Sequence, residues 1–377
     1  MQVTLSILKA DVGSVGGHTK PSARMLDVVR NHLNDAIGSK LLIDGNVTHT
    51  GDDIAMVAVH RKGAGASDVH RFAWDTFMAA TDEARSAGLY GAGQDLLTNA
   101  PSGNIRGAGP AVAEIDFELD PESQDRPAEA FLIFAADKCG PGAYNYPLYS
   151  VFCDPMHSSG LLLNPKLHQG FTITVMDMDH KGADRVIELD VPERIWDVAC
   201  LLQDPDRYAI EAVTSRYAPD QQIASVSTTR LHTIAGKYTG KDDPVAIVRT
   251  QGIFPAPEEV IEPYTLGHFV AGDCRGSHVM PIMPVPINSA VAGPYALPMV
   301  SCMAYSMDAN GKFSNAGVDI FGNSVWDATR NKVQQKTDEW RRQGCIGPTM
   351  ASRTELSYTG IVETRSRLEK DFVVRPE

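Results

Sequence analysis

The chain has 377 residues, 43% hydrophobic and 21% charged, the balance of a folded globular protein with enough length for one large domain or two ordinary ones. Its 47 acidic residues outnumber 34 basic ones, a formal net charge of -13, which argues against the basic stripe that a duplex nucleic-acid binder needs. No run of about 18 consecutive apolar residues occurs, so no membrane span is predicted. The six cysteines lie far apart with no C-x-x-C, which disfavours zinc-finger and redox-motif readings and fits a reduced chain. The opening MQVTLSILKAD has no basic leader, and Lys9 and Asp11 interrupt its apolar stretch. A cytoplasmic protein without a signal peptide is expected.

In chain order, Val3–Leu8 reads as a first strand. A helix is predicted from Thr19-Lys-Pro, with Pro21 in its first turn, and Met25, Leu26, Val29, Leu33 and Ile37 at the spacing of a core-facing stripe. A strand near Lys40–Thr48 runs into the turn Gly51-Asp52-Asp53, and Ile54–His60 resumes extended structure. Lys62–Gly65 reads as a loop and Val69–Ser86 as a second helix. Ala111–Leu119 and Ala128–Ala136 read as paired strands around a polar loop, Asp120–Pro127. Thr172–Met178, Arg185–Val191, Tyr208–Thr214, Ile223–Leu231 and Val245–Thr250 read as further strands. Pro192–Gln203 and Ser324–Gln343 read as helices, and Ala256–Pro263 as a loop. Consecutive strands with few intervening helices fit an α+β sandwich better than a doubly wound sheet.

Four acidic clusters share one setting. Asp11 follows the first strand, Asp52 and Asp53 sit in a glycine-led turn, Asp137 closes the run Phe131-Leu-Ile-Phe-Ala-Ala, and Asp242-Asp243-Pro244 precedes Val245–Arg249. Carboxylates at strand ends can converge at one edge of a sheet and hold magnesium, a hard cation that takes oxygen ligands and substrate phosphate. Taken singly, each is ordinary turn or cap chemistry. His18, behind Gly13-x-x-Gly16-Gly17, and Lys138, beside Asp137, add polar groups to the same places.

Two glycine-rich stretches, Tyr90-Gly-Ala-Gly-Gln94-Asp95 and Ser102-Gly103-Asn104-Ile-Arg106-Gly107-Ala-Gly109, match neither a P-loop nor a dinucleotide fingerprint, although such loops can form anion-binding nests. In Tyr238-Thr-Gly-Lys241-Asp242-Asp243, the aspartates favour a charged lysine and a plain ion pair. Cations on those aspartates would favour the neutral amine instead, letting Lys241 form a Schiff base with Tyr238 as its proton partner. The residue types alone leave both open and lean to the ion pair.

The motifs KADVGSVGGH, GDD, LYGAGQDLL, SGNIRGAGP, ADKCGPGAYNYPLY, IAGKYTGKDDP, RGSH and ELSYT, in this order along nearly the whole chain, resemble the archaeal-type bifunctional fructose 1,6-bisphosphate aldolase/phosphatase family. The resemblance implies condensation of dihydroxyacetone phosphate with glyceraldehyde 3-phosphate, then hydrolysis of the 1-phosphate to fructose 6-phosphate. It implies a single catalytic domain over residues 1–377, folded as a layered α-β-β-α sandwich with mixed, largely antiparallel sheets and assembled as an octamer. Carried over by motif, Asp11, His18, Asp52, Asp53, Gln94, Asp137, Asp242 and Asp243 form a shell for several Mg2+ ions. Asp11 is also implied as the base of the phosphatase step, Lys241 as the Schiff-base lysine and Tyr238 as its acid/base partner. His18, Tyr90, Gly103, Asn104, Lys138, Gln251, Arg275 and Tyr358 are implied as substrate contacts. The implied partners are small sugar phosphates and further copies of the chain, not nucleic acid or membrane. The sequence departs from the family pattern where Ala292 precedes Gly293-Pro294 in a shortened loop, at Val279-Met280, and at Asp120–Pro127. Two alternatives stay open: a magnesium-dependent sugar-phosphate phosphatase without aldolase activity, and a non-catalytic sugar-phosphate sensor.

Overall fold

The structure is a computed structural model that describes residues 2–96, 109–119, 122, 128–157, 159–180, 183–228, 242–266, 269–272, 278–291, 297–342 and 359–375. The first part contains β1 (Gln2–Ala10), α1 (Ala23–Gly38), β2 (Asp44–Thr50), β3 (Asp53–His60), α2 (Ser67–Ser86) and β4 (Ala111–Glu118). These strands form an antiparallel sheet in the order β2-β3-β1-β4. Next come β5 (Glu129–Asp137), α3 (Asn145–Phe152), β6 (Phe171–Asp177), β7 (Arg185–Val191), β8 (Tyr208–Ser215), β9 (Gln222–Val226) and β10 (Val245–Thr250). With β11 (Phe269–Gly272) and β12 (His278–Pro281) set apart as a pair, β13 (Met283–Pro284), β14 (Met299–Met307), β15 (Val318–Asp319) and β16 (Val373–Val374) complete the strands. The second sheet runs β13-β14-β5-β10-β9-β8-β6-β7-β16, with β15 also on β14. Only the short β13–β14 pairing is parallel among its described strands.

Strand alternation sorts the side chains into three apolar layers. Val3, Leu5 and Ile7 of β1 face Phe131, Ile133 and Ala135 of β5 and Val245 and Ile247 of β10, forming the core between the sheets. Leu8 and Ala10 turn the other way, against Met25, Val29 and Leu33 of α1 and Ala73, Phe77 and Ala80 of α2. The outer face of the second sheet carries Leu132, Phe134 and Val248 against Leu148 and Val151 of α3, Tyr144 just before it, and Tyr264. The expected α-β-β-α layering is therefore present, each fully buried large side chain contributing roughly 1.5–3 kcal/mol.

Several local expectations change. Helix α1 starts at Ala23, with the Ser22 hydroxyl accepting the Met25 N–H at 3.2 Å, so Pro21 precedes the cap rather than filling the first turn. Strands β4 and β5 do not pair with each other. The first is the edge of its sheet, next to β1, and alternates buried and exposed towards its end. The second is apolar on both faces and sits between β14 and β10, as a strand covered on two sides must be. Residues Pro257–Ile261 form a short helix rather than a loop, with Glu259 accepting the Ala256 N–H at 2.9 Å. The strand read as Ile223–Leu231 ends at Val226 among the described residues, and β14 and α3 are elements the sequence reading left unassigned. The Asp120–Pro127 loop lies almost wholly outside the described residues. Among those described, no helix is long and apolar enough to cross a membrane.

Candidate active site

The interior stripes of the two sheets change character at one end. On β1 the inward series Val3, Leu5, Ile7 continues as Lys9, and Asp11 lies just past the strand. On β5 the series Phe131, Ile133, Ala135 ends in Asp137. The β2–β3 turn supplies Asp52 and Asp53 at the same end, and residues 242–244 lead into β10 there. The carboxylates thus converge at the seam between two stacked sheets, not along the edge of one sheet as expected. Carboxylate or imidazole atoms of Asp11, His18 and Asp52 lie within 4.8 Å of one another, and those of Asp52, Asp53 and Asp137 do likewise.

The seam closes because of Gly51. Its backbone is left-handed at φ +56, and a Cβ there would overlap Asp137 Oδ2. The bare turn lets Asp137 reach across from the other sheet, and the Asp52 N–H donates to its Oδ2 at 3.3 Å. Gly51 N–H also donates to the Ser289 carbonyl at 2.9 Å, and Thr50 Oγ1 meets Ser301 Oγ of β14 at 2.6 Å. Gly13, by contrast, serves helix packing, since a Cβ there would come within 2.8 Å of Ala84 Cβ. Gly16 and Gly17 have left-handed backbones in open space.

Two lysines offset the carboxylates. Lys138 Nζ pairs with Asp52 Oδ1 and stands 3.0 Å from Asp137 Oδ1, while Lys9 Nζ pairs with Asp53. Burial alone would raise the Asp52 carboxyl, but Lys138 and the His18 hydrogen bond at 3.1 Å hold it well below the usual range. Burial and the charges of Asp52 and Asp53 push Asp11 up; burial pushes Asp137 up as well, against the pull of Lys138. Opposed shifts among carboxylates packed this closely are a mark of a candidate functional site. Asp137 Oδ1 is buried without a hydrogen-bond partner of acceptable geometry. Hard oxygen donors at this density fit a divalent cation.

Of the other expected residues, His18 packs edge-on against Tyr90 at 4.9 Å between ring centroids, and Tyr90 is exposed at the rim. Gln94 lies between two backbone anchors to the Asp11 segment: Gly93 N–H donates to Val12 O at 3.1 Å and Asp95 N–H to Asp11 O at 2.9 Å. Asp243, at φ +52, donates its N–H to Cys139 O at 2.9 Å and accepts the Cys139 N–H at 2.7 Å. It lies within electrostatic reach of Lys9, Lys138 and Asp137, whereas neither it nor the buried Asp242 belongs to the tightest groups. Gln251 stands past the opposite end of β10, six residues or about 20 Å from the seam, so the fold of this chain does not bring it to the cluster. Lys241, Tyr238, Gly103, Asn104, Arg275, Tyr358 and Ala292 lie outside the described residues.

Two contributors escaped the sequence reading. Lys9 read as an interruption of an apolar strand, although its odd-numbered place in the Val3, Leu5, Ile7 stripe points inward. Asp95 is buried and its Oδ2 accepts the Asp11 N–H at 2.8 Å, with Oδ1 taking the Gly109 N–H at 3.2 Å.

Comparison with known proteins identifies the family. Residues 2–373 match the family described as Fructose-1,6-bisphosphatase. A Thermus thermophilus protein named fructose-1,6-bisphosphate aldolase/phosphatase is 51% identical over 372 residues, 99% of this chain and 100% of that protein. Proteins of the same name from Cenarchaeum symbiosum and Ignicoccus hospitalis are 42% and 41% identical, covering 95% and 98% of this chain and 91% and 93% of their own lengths. The matched span includes every acidic strand end, and the chain belongs to this fructose-1,6-bisphosphatase family.

Proposed function

We propose that the chain is a bifunctional gluconeogenic enzyme. It condenses dihydroxyacetone phosphate and glyceraldehyde 3-phosphate to fructose 1,6-bisphosphate, then hydrolyses the 1-phosphate to leave fructose 6-phosphate. The observation that carries this reading is the convergence of Asp11, His18, Asp52, Asp53 and Asp137 at the seam, in a chain that matches aldolase/phosphatases from end to end. The fit of the donors supports divalent cations, and magnesium is the proposed ion. Asp11, His18, Asp52, Asp53, Gln94, Asp137, Asp242 and Asp243 would hold several such ions. Bound there, they would offset substrate phosphate charge and lower the pKa of water.

The residues of the chain do the rest. In the aldolase step, Lys241 as a neutral amine attacks the ketone of dihydroxyacetone phosphate, water leaves, and Tyr238 moves the proton. The double anchor between Asp243 and Cys139 supports this role, because it pins the chain two residues after Lys241 beside Lys138. In the phosphatase step, Asp11 takes the proton of the attacking water. Asp95 holds the Asp11 backbone and so its carboxylate. His18, Tyr90, Gly103, Asn104, Lys138, Gln251, Arg275 and Tyr358 are proposed to bind substrate, Lys138 as a point charge for phosphate and Arg275 as a bidentate fork. Gln251 would serve this role only at a site other than this chain's own seam. The proposed setting is a cytoplasmic octamer built from one catalytic domain.

Borohydride trapping of dihydroxyacetone phosphate on the protein tests the aldolase half. An adduct on the wild type and none on Lys241→Arg is expected; condensation retained by Lys241→Arg refutes the assignment. Phosphate release from fructose 1,6-bisphosphate with magnesium, abolished by EDTA, tests the other half. Release without any adduct leaves a phosphatase alone, and neither activity with retained sugar-phosphate binding leaves a sensor.

A further inference from the structure

The side chain of Lys9 is wholly buried, yet it carries an ammonium. It sits where the apolar layer between the sheets gives way to the carboxylates, its stem continuing the Val3, Leu5, Ile7 stripe and its Nζ on Asp53. Lys9 pairs in register with Ala55 of β3, so Asp53 is its diagonal neighbour on the same face. Lys138, the other lysine at the seam, pairs with Asp52 and Asp137 and retains some exposure, so it has a route to substrate; Lys9 has none. Its Nζ ends on the Asp53 carboxylate inside the protein, the arrangement of a buried ion pair. A fixed positive charge that cannot reach substrate acts on whatever else the carboxylates bind.

We infer that Lys9 is a positioning residue that serves as a built-in counter-cation. It holds Asp53 in place, lets the acidic seam fold before any divalent ion binds, and weakens divalent binding so that ions exchange during turnover. The inference rests on the proposed cation site. Asp11, Asp52, Asp53 and Asp137 carry four formal negative charges when ionised, and Lys9 and Lys138 return two. Removing Lys9 makes the unloaded seam more self-repelling and its attraction for a dication stronger.

The test is Mn2+ titration of the full-length protein, read by the loss of the free-ion electron paramagnetic resonance signal, with a thermal melt at each point. Wild type should bind Mn2+ and gain some Tm. Lys9→Met should melt lower without metal, bind Mn2+ about tenfold or more tightly, and recover wild-type Tm at saturation. Lys9→Arg should restore the wild-type affinity. If Lys9→Met does not fold without metal, Lys9→Gln is titrated in its place and should show the same tightening. Unchanged or weaker binding in the neutral variants, or a folding defect that Mn2+ does not repair, overturns the inference while wild-type binding leaves the proposed function standing. A wild type that binds no Mn2+ removes both.

Discussion

Replacing Gly51 by alanine isolates the contact that closes the seam. The substitution has two costs. An L-residue held near φ +56 costs about 1–2 kcal/mol. The added methyl also takes space filled by Asp137 Oδ2 and comes to 3.0 Å from Val291 Cγ2. The carboxylate of Asp137 must therefore withdraw, losing the Asp52 N–H at 3.3 Å and its place in the cluster. Losing that hydrogen bond and shifting a buried charged group costs a further ~1–3 kcal/mol, so roughly 2–5 kcal/mol is expected in total. Displacing a reacting-site ligand by about 1 Å can lower turnover by about 100-fold. Gly17→Ala is the control, because Gly17 shares the left-handed backbone, at φ +98, but has nothing within 4 Å of its missing Cβ. Urea unfolding and magnesium-dependent phosphate release should separate the two: Gly17→Ala loses only the backbone part and keeps most activity, whereas Gly51→Ala loses both. Equal destabilisation of the two variants, with phosphate release in Gly51→Ala within twofold of wild type, would refute the account of the seam.

Asp95→Ala should lower kcat by about 10–100-fold, as loss of outer hydrogen-bond partners does at metal sites, with little change in KM, because Asp95 holds the Asp11 backbone at 2.8 Å. Arg249→Met should cost about 3–5 kcal/mol in urea unfolding, since it removes the two-pronged grip of Arg249 on buried Glu129, at 2.7 and 3.2 Å. For Asp177, burial raises the carboxyl but hydrogen bonds from Arg207 and Arg185 outweigh it and leave the pKa lowered. A lowered folded-state pKa stabilises above the unfolded value near ~3.9 and loses that contribution as pH falls through the folded one. Asp177→Asn should therefore be less stable than wild type at pH 7, and the gap in Tm should close as pH drops below about 4; a constant gap would refute the linkage.

Strand ends and their aspartates were legible because each needs only local pattern: apolar alternation followed by Asp at 11, 52, 53, 137 or 242–243. Which strands meet was not legible, because it depends on distant partners. β5 follows β4 closely in sequence but pairs with β14 and β10, about 110 to 180 residues further on. Separation in sequence likewise hid the Gly51–Asp137 contact. Lys9 was misread for a different reason. A lysine in an apolar run is ordinarily exposed, and only the carboxylates brought from β3, β5 and residue 243 explain its burial. Gln251, assigned through resemblance, shows that a motif match places a residue in sequence and not in this chain's own pocket.

The seam also implies an order of assembly. The sheet β2-β3-β1-β4 and its two helices are contained in residues 2–118, whereas β5 gains its neighbours only when β10 and β14, ending at Met307, have been made. During synthesis Asp11, Asp52 and Asp53 would be in place well before Asp137 is fixed opposite them, because long-range strand pairing is slow. Pulse-labelled hydrogen exchange during refolding should show amides of β1 and β3 protected ahead of those in β5 and β10. The chain would then gain its capacity for chemistry in one late event, when its second half docks on a finished first half.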